Sequence, residues 1–292
     1  MSISKLQKLS QFKMKLAYKA ILLKGKVSQA ISLKMGTNHA IKLFRTPIKF
    51  KTPNRELPMI SKSRKEMILI DEIQKEIMVY HYGNSDKKVL LIHGWSGRGT
   101  QLFKIADLML NQGFSTISFD APAHGNSTGT ETMMSEFILC TRVLNEKYGP
   151  FEIGIGHSLG GMTILNAINR NIPFQKAICI GSGNSIFDIM KEFVEKLEMK
   201  PVIAQMMKAH YDKEFGVDLE QFSSYNVAKN IEIPVLIIHD ADDEDVPVTC
   251  AYAIHQQLKN SELMITHKLG HRKVLGDKKV LEKITTFIHA KI

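Results

Sequence analysis

Cysteine is scarce in this 292-residue chain: Cys140, Cys179 and Cys250 lie far apart, with no CxxC spacing among them. An odd, scattered set builds neither a disulfide framework nor a zinc site. A reducing compartment, the cytoplasm, is the expectation. Long apolar runs are missing as well, and no stretch approaches the ~20 residues of a membrane span. Between Lys5 and Lys26 no uncharged run exceeds four residues, too short for the ~7–15-residue core of a signal peptide. The dinucleotide fingerprint, the P-loop and the HExxH zinc motif are absent, so no cofactor and no metal are expected.

Acidic residues are rare in one region only. Residues 1–65 hold 16 Lys and Arg against a single acid, Glu56, whereas residues 66–292 hold 23 against 28. The formal net charge of +10 thus divides into +15 and −5. A mildly acidic body gives no basis for a nucleic-acid groove.

The basic segment carries a helical pattern. Ile3, Leu6, Leu9, Phe12, Leu16, Ala20 and Leu23 recur every three or four residues, with lysines between them. Such a helix can dock on a domain with its lysine stems covering apolar surface. It can also lie on an anionic membrane, which would make the protein peripherally membrane-associated. Docked amphipathic helices are the commoner of the two. The three prolines of RTPIKFKTPNRELPMISKS then mark an extended linker. Residues 1–65 are read as an extension and linker, and 66–292 as the main domain.

From residue 66 strands alternate with helices. EMILID and EIMVYHY suggest an edge hairpin. KVLLIHG, FSTISFD, FEIGIGH, KAICIGS, PVLIIHD and ELMITH follow, separated by helical stretches. The pattern predicts a mainly parallel sheet of about eight strands with helices on both faces. Residues 183–230 interrupt it, about fifty residues where a crossover needs ~10–15. IFDIMKEFVEKLEMK and PVIAQMMKAHYDKEF within it are helical and rich in Met and Phe. They are read as a helical cap or lid whose apolar residues form its own core or meet an apolar ligand.

The sharpest chemical signal is Gly156-His157-Ser158-Leu159-Gly160-Gly161. It falls where a buried strand ends and a helix begins. Small residues two before and two after the serine let the turn close tightly, exposing the hydroxyl and aiming the Leu159 amide toward the same point. With this motif the chain resembles the α/β-hydrolase fold family, over about residues 66–292. The third strand ends His93-Gly94-Trp95-Ser96, and Asp120-Ala121-Pro122-Ala123-His124-Gly125-Asn126-Ser127 resembles the family's DxxxHGxS loop motif.

The resemblance implies Ser158 as nucleophile and the Trp95 and Leu159 amides as oxyanion donors, with Trp95 also set to touch substrate. A serine needs a base to take its proton. The family order of serine, acid, then histidine favours His271, in the loop after the last strand, over His267. His93 and His124 belong to loop motifs, and His157 is expected to point away from Ser158 across the turn. The acid belongs in HDADDEDVP, where five of the six residues Asp240–Asp245 are carboxylates. Counting back from Pro247 selects Asp243, with Asp242 one residue off, and Asp240 stands where the family often has glycine. The other acids are read as solvated charge. EF-hand spacing fails, since Asp245 and Ala251 stand where Gly and Glu are needed.

The implied activity is hydrolysis of a carboxylic ester or thioester, the substrate a small and apolar molecule. The same residues would serve acyl transfer to another acceptor. A non-catalytic, hydrolase-like binding protein is the alternative from a different class.

Overall fold

The computed structural model describes residues 3–290, and side-chain environments for residues 15–290. Its strands are β1 (Arg64–Ile70), β2 (Lys75–Tyr82), β3 (Lys88–Ile92), β4 (Ser115–Phe119), β5 (Ile153–His157), β6 (Lys176–Ile180), β7 (Val235–Asp240) and β8 (Ser261–Thr266). They form one eight-stranded sheet in the order β1-β2-β4-β3-β5-β6-β7-β8. Only β2 opposes its neighbours; every pairing from β4 through β8 is parallel. The edge hairpin is present, running from Ile70 opposite Lys75 to Arg64 opposite His81.

Helices α1 (Ile3–Ile31), α2 (Leu33–Arg45) and α3 (Leu57–Lys62) precede the sheet. The parallel strands are joined through α4 (Phe103–Asn111), α5 (Met134–Tyr148) and α6 (Leu159–Ile168). After β6 come α7 (Ile186–Lys196), α8 (Val202–Phe215) and α9 (Ser224–Ala228). Then α10 (Thr249–Gln257), α11 (Gly270–Lys273) and α12 (Lys278–His289) alternate with the last two strands.

The chain divides into two compact units. One comprises residues 46–185 and 220–292, the other residues 1–45 and 186–219. The larger unit contains the whole sheet. Side chains alternate along each strand, so Leu90 and Ile92 of β3 enter one apolar layer with Phe137, Cys140 and Leu165. Val89 and Leu91 enter the opposite layer with Ile105, Met109 and Ile284. This double coverage is why the central strands read as continuous apolar runs.

The segment read as a linker joins this larger unit. Arg98, only 9% exposed, donates to Thr52 Oγ1 at 2.8 Å and to the Phe50 carbonyl at 2.9 Å. Thr100 donates to the buried Glu56 carboxylate at 2.7 Å, and the Ile48 amide donates to Ser96 Oγ at 3.0 Å. Residues 48–56 are therefore tied to the loop that follows β3. Sequence alone placed divisions at residue 65 and around 183–230; the compact units part at 45/46, 185/186 and 219/220.

The smaller unit is helical. Phe44 of α2 meets Phe193 at 5.1 Å and Tyr211 at 6.2 Å between ring centroids, and Arg45 pairs with Glu214 at 3.1 Å. Met190, Ile203, Met207 and Tyr211 are completely buried. The methionines of the interruption thus serve largely as this unit's own core. α1 docks here too, but not through the face its periodicity marks. Tyr18, Gly25 and Gln29 face residues 196–200, while Leu16, Ala20 and Leu23 stay exposed. No helix among the described residues is long and apolar enough to cross a membrane.

Candidate active site

Ser158 sits between β5 and α6 with φ 54° and ψ −119°, a conformation that L side chains rarely adopt. Its neighbours make this possible. A Cβ on Gly156 would lie 2.2 Å from the Gly160 backbone, and a Cβ on Gly160 would lie 2.2 Å from the Ile92 carbonyl oxygen. Any larger residue would force strand and helix apart. The Ser158 amide donates to the Ile180 carbonyl at 2.8 Å, pinning the turn to the end of β6. The residue is half-buried and so reachable. Leu159 opens α6, where its amide has no intrahelical acceptor.

The loop after β3 runs against this turn. A Cβ on Gly94 would stand 2.9 Å from Ser158 Cβ, and Trp95 follows at once with 36% of its surface exposed. Two histidines hold that loop. His93 Nε2 accepts from the Ala121 amide at 3.0 Å while Nδ1 donates to the Gly94 carbonyl at 2.7 Å. His124 Nε2 accepts from the Ser96 amide at 2.9 Å, and its Nδ1 donates to the Pro122 carbonyl at 3.0 Å. Burial lowers the pKa of both, His124 to about 4. They are neutral struts, each using one nitrogen as donor and the other as acceptor.

Asp243 and His271 come together from the loops after β7 and β8. His271 Nδ1 lies 2.7 Å from Asp243 Oδ2, with the two side chains 11% and 1% exposed. The other carboxylate oxygen accepts the Asp245 and Val246 amides, both at 2.9 Å. Burial pushes this carboxyl's pKa up, but the bonds to His271 and the two amides outweigh it and hold it below its ordinary value. A Cβ on Gly181, just after β6, would meet His271 Nδ1 at 3.2 Å. The imidazole therefore stands over the strand end whose Ile180 anchors Ser158. Among the described residues the Ser158 hydroxyl makes no hydrogen bond. His267 is exposed, and Asp242 is exposed with Oδ2 accepting the Lys268 amide at 2.8 Å. Neither meets the pair.

Three neighbours escaped the sequence reading. Asp240 is not solvated charge: it is 1% exposed. Its Oδ2 accepts the Thr266 hydroxyl at 2.7 Å and the Leu269 amide at 3.2 Å; its Oδ1 accepts the Gly270 amide at 2.9 Å and the Asp242 amide at 3.0 Å. Burial works against its charge, and these donors still keep its pKa below the ordinary value. It ties the acid loop to the histidine loop. Its place where glycine is usual was the one available clue.

His157 was expected to point away from Ser158, and its contact with the histidine loop is what the sequence left unseen. Its ring packs 4.5 Å from that of His271, centroid to centroid, and Nε2 donates to the His271 carbonyl at 2.8 Å. Burial, then the charge of His271, lower its pKa to about 3, so it supports the loop as a neutral donor. His239 is the third, its Nε2 donating to the Val246 carbonyl at 2.9 Å and lying 3.5 Å from Asp243 Oδ2. No group of three or more His, Cys, Asp or Glu among the described residues could hold a metal ion.

The family model for the alpha/beta hydrolase family matches residues 89–272, more than half of the chain. The chain belongs to the alpha/beta hydrolase family. Similar solved structures share its fold. One is a bromoperoxidase from Bacillus anthracis, 18% identical with a TM-score of 0.60, covering 78% of this chain and 100% of its own. Another is an esterase from Exiguobacterium antarcticum, 16% identical with a TM-score of 0.61 and the same coverages. A third is a serine hydrolase from the hydrocarbon-degrading Cycloclasticus zankles, 18% identical, TM-score 0.59, covering 77% of this chain and 97% of its own. No curated protein matches the chain in sequence.

Proposed function

We propose that the protein is a serine hydrolase that cleaves a carboxylic ester or thioester. The observation that carries this reading is the His271–Asp243 contact at 2.7 Å beside a reachable serine in a strained strand-to-helix turn. Asp243 accepts the Nδ1 proton of His271, which leaves Nε2 unprotonated and able to act as a base. Ser158 Oγ attacks the substrate carbonyl carbon as its proton passes to Nε2. The carbonyl π pair moves onto oxygen, where the Leu159 and Trp95 amides receive it. Losing one such donor costs about 2.7–4 kcal/mol of transition-state stabilisation.

Collapse of the tetrahedral adduct breaks the bond to the leaving alcohol or thiol, which takes the proton from His271. An acyl-serine remains. Water, deprotonated by the same Nε2, attacks it and releases the acid and free Ser158.

An apolar substrate is supported by the segment tied to the loop that carries Trp95. Ile48 and Phe50 are 63% and 47% exposed, and the bonds from Ile48 to Ser96 and from Arg98 to Phe50 keep them at that loop. Exposed apolar side chains on a segment tied beside a site favour an apolar acyl or alcohol group. Short p-nitrophenyl esters and a fluorophosphonate probe test the proposal. Wild type should turn over the esters and label at Ser158, and Ser158→Ala should do neither. Full turnover by Ser158→Ala would remove the serine from the mechanism. A folded wild type that neither labels nor turns over would point to a binding protein.

A further inference from the structure

Helix α1 is docked through one face and bare on the other. On the docked side the Tyr18 hydroxyl donates to the Lys196 carbonyl at 2.7 Å, and Gln29 Oε1 accepts the Lys200 amide at 2.8 Å. Lys26 pairs with Glu198, and a Cβ on Gly25 would stand 3.3 Å from Met199 Sδ. On the opposite side Leu16 is 59% exposed, Leu23 64%, Val27 50% and Ile31 65%, and Ala20 is exposed with them. At 3.6 residues per turn these five fall within an arc of about 80°. Lys15 and Lys19 border the arc on one side and Lys24 on the other, all exposed.

A helix that had only to dock would put its large apolar residues inward. Here Gly25 and Ser28 are buried with Ile21 and Leu22 half-buried, while Leu16, Leu23, Val27 and Ile31 are turned to solvent. An apolar stripe of this kind, edged with lysine, marks an interaction surface. Its charge decides among occupants. Residues 1–45 contain ten Lys and Arg and no Asp or Glu, so a second copy of the same face would bring like charge against like. A surface with dense negative charge above an apolar layer complements it on both counts.

We propose that the outward face of α1 is a docking surface for anionic phospholipid membranes. Leu16, Leu23, Val27 and Ile31 seat at the boundary between headgroups and acyl chains, and the bordering lysines reach the headgroup anions. The helix lies in the surface plane while its opposite face keeps its contacts with residues 196–200. Docking and membrane association are then properties of two faces of one helix.

The test is co-sedimentation of the full chain with phosphatidylcholine vesicles, with and without phosphatidylserine. Binding should require phosphatidylserine and weaken as salt is raised. Changing Lys15, Lys19 and Lys24 to Gln should weaken it roughly fivefold per lysine removed. Leu23→Asp with Val27→Asp should weaken it by roughly tenfold or more. Both variants change exposed positions, so circular dichroism and turnover of a soluble ester should match wild type. Two sedimentation results would overturn the proposal: no phosphatidylserine-dependent sedimentation of wild type, or unchanged sedimentation of both variants. Light scattering that finds a dimer dissolved by Leu23→Asp would assign the face to a second copy and overturn it as well.

Discussion

Replacing Asp243 by asparagine changes one carboxylate oxygen to an NH2 group, and the surroundings decide which one. Oδ1 receives the Asp245 and Val246 amides, both at 2.9 Å. An NH2 placed there would set donor against donor and leave two backbone N–H groups without acceptors, about 2 kcal/mol or more. The asparagine oxygen therefore keeps those bonds, and its NH2 faces His271 Nδ1 across the 2.7 Å contact. Nδ1 must then accept, so the one proton of neutral imidazole moves to Nε2, on the side meant for the serine proton. The base is lost while the geometry survives. A tautomer error of this kind costs about 10⁴ in kcat, equivalent to about 5.5 kcal/mol.

The assay is steady-state turnover of a p-nitrophenyl ester, with circular dichroism confirming the fold of each variant. Asp242→Asn is the control, because its carboxylate is exposed and its one backbone contact there is the Lys268 amide; its kcat should stay within about fivefold of wild type. If Asp243→Asn stayed within tenfold of wild type, or Asp242→Asn lost as much, the tautomer reasoning would be refuted.

Asp240→Asn should damage stability more than its neighbours do, since each of its oxygens receives two donors and an NH2 on either side confronts two of them. Urea unfolding should show a loss of about 2–6 kcal/mol, with kcat falling while KM holds; an unchanged unfolding curve would deny Asp240 its place between the two loops. Acid should destabilise the protein in two stages. His157, His124 and His93 are buried with folded pKa values below their ordinary 6.5, so unfolding takes up protons as pH falls below that value. Stability should drop by up to about 1.4 kcal/mol per pH unit for each. Asp240 and Asp243 have lowered pKa values, so their contribution is present above the ordinary carboxylate value of 3.8 and is lost as pH falls below it. Calorimetry between pH 7 and pH 3 measures both stages, and a flat profile down to pH 4 would contradict the first.

Fold and site were legible to different depths. Strands covered on both faces leave unbroken apolar runs, so KVLLIHG and PVLIIHD declare themselves without any tertiary information. Gly156 and Gly160 are visible for a similarly local reason, because a turn this tight excludes side chains at those two positions. Asp243 and His271 are 28 residues apart in the chain, and each could be nominated only by its distance from a strand end and a proline.

What the sequence determined by itself is therefore local: the alternation of strands and helices, the serine turn, and the basic charge of the first 65 residues. Its periodicity also marked Leu16, Ala20 and Leu23 as one face of a helix. Only the tertiary structure decided which way that face turns, because orientation depends on what Tyr18, Gly25 and Gln29 meet around residues 196–200. Spacing from Pro247 singled out Asp243 in HDADDEDVP, but only the tertiary structure separated Asp240 from the remaining carboxylates. Asp240 is buried under four donors, three of them from the end of β8 and the loop after it, Asp243 faces an imidazole, and Asp242 is left near the surface. A carboxylate's role is set by the donors and the water around it, and both are arranged by residues distant in the chain.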